Sequence, residues 1–429
     1  MLQLFSILAV VAVFVVATLT PLNMGLLAFI AAFVLGAASG VSTSDVMDLL
    51  PGDIVILLVG ITLLFGIANV NGTVDLIVDR ALKLVRGRRW AIVWMIFFLA
   101  AALMSLGMLL AVAMLAPIAM SIAGRYKINP LLMGMMLSHG ALGAALSPIT
   151  IFGAFTLRMA RDMNLGLTPL SLFLFPFVFN LAFATVLFVV LGRGLFGQAE
   201  PDPDQDGAGG EPTPHDDEPG STRTLTAPAK AEVRWSPERV LTLVGILLLL
   251  VVPAAFGVDV GATAMVIACA LLIMRSRLAE KAMREVAWSA VLLVTGMMTL
   301  MAVLQQNGTL DSVGSSAARM GLPIVAALVL LVAAAALSAF GSSIGTIGIA
   351  IPMAIPLTQT GHVEAAAFVI AIAFCSTVVD ISPFSTNGCI VLAEARVADR
   401  LRFQRTMLAY TMSIVVLAPL ASWFLLLVL

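Results

Sequence analysis

Charged residues are scarce in this sequence. Asp, Glu, Lys and Arg make up 11% of its 429 residues, where a soluble globular chain carries about one quarter. A folded water-soluble protein must cover much of its surface with polar atoms, and this chain has too few to do so. Soluble enzymes, nucleic-acid binders and disordered proteins are thereby excluded. The net charge of −1 says little, because the two signs are segregated along the chain. Cysteine is rare as well. Cys269, Cys375 and Cys389 all lie in apolar segments, show no metal-ligand spacing and cannot form a closed disulfide set. They are expected to be small buried apolar residues. No paired catalytic carboxylates, His/Asp/Glu metal cluster or nucleophile with a nearby base can be picked out. The chain is therefore not expected to be an enzyme or to hold a resident cofactor.

Apolar residues are abundant, at 61%, with a mean hydropathy of +1.09. This composition predicts an all-α polytopic membrane protein whose main partner is the lipid bilayer. A spanning helix needs about 20 mostly apolar residues. Spans are expected near 3–20, 22–39, 53–70, 130–160, 170–196, 239–256, 258–275, 286–306, 363–398 and 405–429. The first lacks a positive leading region and is followed at once by a second apolar run, so it reads as a span and not a signal peptide. Two apolar stretches, 90–124 and 322–358, carry Gly and hydroxyl residues at their middles and a proline soon after, Pro117 and Pro352. They read as re-entrant helical hairpins, whose irregular tips are tolerated only against protein or a water-filled cavity. Residues 197–238 hold ten acidic against three basic residues, with many Pro and Gly. They read as a disordered linker, with His215 solvated among the acids.

The chain repeats itself across that linker. LLVGITLLFGIANVNGTVD (57–75) and LVTGMMTLMAVLQQNGTLD (293–311) are identical at seven of nineteen positions. The spacing persists: Asn71 to Pro117 is 46 residues and Asn307 to Pro352 is 45, while Asn71 to Ser147 is 76 and Asn307 to Ser382 is 75. SPITIFGA (147–154) then corresponds to SPFSTNGC (382–389). The domains are thus expected at 1–196 and 239–429, two repeats of five spans and one hairpin each. Five crossings is odd, so the second repeat enters from the opposite side, an inverted-topology arrangement found in many secondary transporters. The excess of Lys and Arg in cytoplasmic loops provides a separate check. One orientation puts 20 of the 23 basic residues inside and leaves Arg158, Arg161 and Arg319 outside. Both termini are then outside a cell (inner) membrane and the acidic linker is cytoplasmic.

In such repeats the substrate site lies near the membrane midplane, where broken helices meet. Pro148 and Pro383 should interrupt the fourth and ninth spans, since proline lacks an N–H and restricts the preceding residue. A half-helix N-terminus presents free N–H groups and a positive dipole end, which attract anions. The candidate substrate ligands are Ser147 and Thr150 in one break, Ser382, Ser385, Thr386 and Asn387 in the other, and Ser342 and Ser343 at the second hairpin tip. Candidates for cation or proton coupling are Asp380, Asn387, Ser342 and His139, ionisable residues inside apolar spans being functional candidates by default. Helix capping is the competing role for Asp380 and for the hydroxyls, and packing for His139. Arg158 and Arg161 either attract anionic substrate or snorkel to the interface.

These motifs carry a family resemblance. The doubled NGT-[VL]-D, the hairpins ending in proline, SPITIFGAF and DISPFSTNG resemble the MatC-type dicarboxylate (malonate) carriers, within the superfamily that includes the divalent-anion:sodium symporters. The resemblance implies an elevator-type transporter, a homodimer, moving a small dicarboxylate with cations. In the sodium symporters each hairpin tip bears a Ser-Asn-Thr motif that touches a substrate carboxylate and neighbours a Na⁺ site. Here the first tip reads Gly107-Met108-Leu109 and the second Ser342-Ser343-Ile344. One carboxylate site and one cation site, with Na⁺ near Ser343, Gly345, Thr386 and Asn387, are therefore better supported in the second half. Coupling to Na⁺ or to H⁺ through Asp380 stays open. The alternative is a cation/proton antiporter of the same superfamily with no organic-anion site.

Overall fold

The structure, a computed structural model, describes residues 2–20, 22–85, 88–195, 235–309, 323–340, 342–358 and 363–428. Helix is the only regular structure among them, apart from short turns. The first half runs α1 (Leu2–Leu19), α2 (Met24–Ala38), a short α3 (Thr43–Asp48), α4 (Gly52–Val70) and α5 (Thr73–Val85). Then come α6 (Arg89–Ser105) and α7 (Ala111–Arg125), α8 (Pro130–Ala144) and α9 (Ile151–Asp162), and α10 (Pro169–Leu191). The second half runs α11 (Pro237–Phe256), α12 (Val260–Met274), a short α13 (Ala279–Glu285) and α14 (Trp288–Gln306). It continues with α15 (Pro323–Phe340) and α16 (Ser343–Thr358), α17 (Ala365–Val378) and α18 (Thr386–Glu394), and α19 (Arg400–Trp423).

Local chemistry explains the starts. Asn129-Pro130, Thr168-Pro169 and Ser236-Pro237 each place a capping oxygen before a proline in the first turn, where its missing N–H costs nothing. The last pair starts α11 at Pro237, two residues inside the end of the segment 197–238 read as linker. Most of the linker, the tip residue Gly341 and the segment 310–322 with Arg319 lie outside the described residues. Four described helices, Gly52–Val70, Pro169–Leu191, Trp288–Gln306 and Arg400–Val428, are each long and apolar enough to cross a membrane. Several other apolar helices are shorter, among them Met24–Ala38, Arg89–Ser105, Ala111–Arg125 and Ala365–Val378.

Packing between the halves follows one rule. A Cβ on Gly25 of α2 would stand 2.0 Å from Leu292 O of α14, and one on Gly261 of α12 would stand 2.6 Å from Leu57 Cα of α4. Gly60 and Gly296 complete the same two crossings from the other side, within 2.8 Å of Gly261 O and 2.1 Å of Gly25 O. Only glycine lets these backbones approach so closely, as at many helix crossings in membranes. The turns after α4 and α14 match as well. Asn71 Oδ1 accepts from Thr73 N at 3.0 Å, and Asn307 Oδ1 accepts from Thr309 N at 3.0 Å. Asn71 Nδ2 donates to Thr242 of α11, while Asn307 Nδ2 donates to Ser6 of α1.

A second body is built from α6–α10 and α15–α19. Within it α6 packs on α8, α15 on α17, α7 on α18 and α16 on α9. Arg89 closes the foot of the first hairpin by donating to Lys127 O at 2.5 Å. Large apolar side chains stand exposed on α1, α2, α11 and α12, Leu8, Ile30, Leu247 and Ile273 among them, as lipid-facing surfaces require. The expectation that all three cysteines are buried is corrected here. Cys375 is buried beside Ser422, but Cys269 and Cys389 are exposed, because an apolar stretch of sequence does not by itself make each of its positions interior.

Candidate functional site

The two Ser-Pro breaks fold alike. In the first, Ser147 N donates to Ala144 O (3.1 Å) and Thr150 N to Ser147 O (3.0 Å). In the second, Ser382 N donates to Val379 O (3.1 Å) and Ser385 N to Ser382 O (3.0 Å). The hydroxyls of Thr150 and Ser385 each donate to that same serine carbonyl at 2.8 Å. A Cβ on Gly153 or Gly388 would meet Ser147 O at 1.9 Å or Ser382 O at 2.0 Å. Each loop therefore folds back against the first turn of the helix it starts, and each needs a glycine there.

They differ in how that helix is capped. Thr150 Oγ1 accepts from Gly153 N at 3.0 Å, and α9 has no acidic residue in its first turn. Ser385 gives α18 no side-chain cap. Instead Asp380, from before the break, accepts from Asn387 Nδ2 at 2.9 Å and from Asn387 N at 3.4 Å. A carboxylate thus occupies the positive end of α18. The residue in Asp380's place in the first break is Ala145, fully buried. The positive end of α9 carries no such charge.

Each break lies beside the hairpin of its own half. Ser147 Oγ donates to Ser105 O at the first tip (2.7 Å). Gly107 there has φ +98, and a Cβ on it would stand 2.4 Å from Ile61 of α4. The tip's departure from the polar motif leaves room for α4 to pass. At the second tip Ser342 caps α16, its Oγ accepting from Gly345 N at 3.3 Å. Ser343 Oγ is 3.1 Å from Ser338 Oγ, which donates to Ser376 O of α17 at 2.5 Å. Ser376 Oγ is buried with no partner among the described residues. Sequence reasoning missed Ser338 and Ser376. Only their approach in space marks them, since single serines inside apolar helices are common.

The other candidates fall as follows. Ser382 Oγ accepts from Phe384 N (3.2 Å), an ordinary loop contact. Thr386 is exposed and Gly345 is buried against Met24. No hydrogen bond among the described residues joins Ser342 or Ser343 to Ser382, Ser385 or Asn387; the second hairpin reaches the broken span through Ser338 and Ser376 O instead. His139 is fully buried between α8, α10 and α19. Asn180 Nδ2 donates to Pro176 O (2.9 Å), which turns Asn180 Oδ1 toward His139 Nδ1 (2.7 Å). Nδ1 therefore donates, and Nε2 accepts from the Tyr410 hydroxyl at 2.6 Å. Both nitrogens are engaged by neutral partners, the geometry of a packing residue. Arg158 pairs with Asp53 and with Asp162, and Arg161 is exposed.

Between the first tip and α4 lies a cavity of about 30 Å³, lined by Thr62, Phe65, Asn69, Gly107, Leu110 and Glu285 among others. It has room for one or two waters and is too small for a diacid.

Apolar helices, several of them broken, packed into an all-helical body define the class: a polytopic membrane protein. Residues 1–145 of the 429 match the family model described as dicarboxylate carrier protein MatC N-terminus. Over those residues the chain is similar to the N-terminal part of that carrier family. No curated protein matches the chain.

Proposed function

We propose that this protein is a secondary active transporter that moves a small malonate-like dicarboxylate across the cell (inner) membrane, coupled to Na⁺ or H⁺. The observation that carries the reading is the charge difference between two otherwise matching breaks. The uncompensated positive end of α9, with Ser147 and Thr150, suits a substrate carboxylate. The end of α18 already holds Asp380, so a dianion there would meet a like charge. We therefore place the coupling cation or proton in the second half, with Asp380 and Asn387, and the hydroxyls of Ser338, Ser343 and Ser376 as oxygen ligands for Na⁺. Ser342, Ser382, Ser385 and Thr386 line the route between the two. This assigns the anion to the first break, where the sequence alone favoured the second.

The repeat and its motion belong to the same proposal. Reciprocal packing supports an inverted repeat: α2 on α14 and α12 on α4, Asn71 to Thr242 and Asn307 to Ser6, each pair exchanging halves at a spacing of 236 residues. The scaffold is α1, α2, α4, α11, α12 and α14, and the moving elevator body is the two hairpins with the broken spans. Both termini and the basic arms follow the charge rule, termini outside and linker inside, and the carrier works as a homodimer. Labelling tests the orientation: Gly87→Cys should react only from the cytoplasm and Gly314→Cys only from outside, in a cysteine-free background. Both positions lie outside the described residues.

The deciding experiment is uptake of labelled C3 and C4 dicarboxylates into proteoliposomes, with Na⁺ and pH gradients imposed separately. Uptake driven by one gradient establishes the reading and its coupling ion. Proton-driven cation exchange with no dicarboxylate uptake would instead favour an antiporter using Asp380.

A further inference from the structure

The two ends of α4 face the moving body differently. At its Gly52 end, Asp53 receives the guanidinium of Arg158 on α9. Arg158 Nε also donates to Asp162, four residues on, at 3.0 Å. Asp162 thus holds the planar fork with its free N–H groups aimed at Asp53. Nearby the packing is close: α9 contacts both α4 and α14, and a Cβ on Gly348 of α16 would stand 3.0 Å from Met297 of α14 and 3.2 Å from Phe155 of α9. Toward the other end, about 27 Å along the helix at ~1.5 Å per residue, Gly107 of the first hairpin tip meets Ile61 of α4 closely, but the contact is incomplete beyond it. The cavity beside Asn69 and Glu285 lies there, and Leu110 on its wall is 43% exposed.

The ion pair has no counterpart in the other half. The corresponding positions are Ser289, Ala393 and Val397, and Ser289 is bound instead to Asn23 within the scaffold. Among the described residues, then, this charge pair belongs to one half alone, between two bodies that the elevator reading requires to slide.

We infer that Arg158 and Asp53 form an outer latch of the transport cycle, joined in a state closed outside and loosened toward the cytoplasm, and broken each time α9 moves along α4. The inference rests on the elevator reading above. An exposed pair contributes about 0.2–1 kcal/mol, so losing it should shift the balance between states ~1.4- to 5-fold.

The test uses the full chain in a background free of Cys269, Cys375 and Cys389. Asp53→Cys with Arg158→Cys, joined by a short bis-thiol reagent carrying a cleavable disulfide, should block uptake, and reduction should restore it. Undiminished uptake by the crosslinked protein would overturn the latch. A second readout needs no substrate. Leu110→Cys is labelled from the cytoplasmic side of inverted vesicles with a membrane-impermeant thiol reagent. Adding Arg158→Gln should slow labelling within that range, and the swap Asp53→Arg with Arg158→Asp should restore it. Equal labelling in all three would also overturn the latch. If no dicarboxylate is transported yet labelling shifts as described, the latch stands and the substrate reading fails.

Discussion

The two Ser-Pro breaks have nearly the same backbone and differ in one buried side chain. Ala145 occupies the place that Asp380 occupies in the second break, and the consequences spread outward from there. Asp380 draws in the amide and the backbone N–H of Asn387 and neutralises the start of α18. The start of α9 keeps its positive end. On the proposed reading the repeat supplies two similar sockets, and a single charge suits one of them to a cation and leaves the other to an anion. The hairpin tips diverge in the same sense. The first has no polar side chain at Gly107, Met108 and Leu109, and the second brings Ser342 and Ser343 with Ser338 behind them.

The strongest way to break the comparison is to remove the charge. Asp380→Ala leaves Asn387 without its partner. Hydrogen bonds to charged groups contribute on the order of 1.5–3 kcal/mol, so affinity for the coupling cation should fall roughly 10- to 150-fold. Gradient-driven uptake against cation concentration measures this. Asp380→Asn then separates the modes of coupling. If Asp380 carries the proton, this variant exchanges substrate across the membrane and loses pH-driven accumulation. If Asp380 only caps α18, Asn caps nearly as well and accumulation survives.

The comparison is sharpened by making the breaks equal. Ala145→Asp places a carboxylate near the start of α9, where two like charges about 6 Å apart at an effective dielectric of about 20 repel by roughly 3 kcal/mol. Dicarboxylate binding, measured by calorimetry, should weaken by about 100-fold. Ala145→Asn controls for size, and an equal loss in that variant would show that crowding and not charge is responsible.

Smaller effects should divide by kind. Thr150→Ala removes the cap of α9, a loss of about 1 kcal/mol, and should raise the substrate KM about fivefold with cation dependence unchanged. Asn387→Ala should shift the cation dependence more than the substrate KM. Identical profiles for the two variants would erase the assigned division of labour. The smallest effect is expected from residues 197–234. Replacing them with a Gly/Ser segment of equal length should leave expression and uptake within about twofold, since a segment so rich in acids, Pro and Gly has almost nothing to bury.

Much of this protein was legible in its sequence because the governing physics is local. Twenty apolar residues make a span, a proline breaks one, and the Ser-Pro, Asn-Gly-Thr and hairpin spacings recur in register, so helices, breaks and candidate ligands followed from composition and spacing alone. Asp380 and Asn387 are seven residues apart and meet across a single break. Other partners are chosen only when the helices pack. Nothing near Arg158 in the chain announces Asp53, 105 residues away, nor does anything near His139 announce Tyr410, 271 residues away. Ser338 and Ser376 were ordinary serines until a hairpin leg lay against a broken span. The sequence determined where the backbone must bend and which groups need partners. The tertiary structure decided which partner each one received, because that depends on which helices lie side by side, and the close approaches at Gly25, Gly60, Gly261 and Gly296 set that.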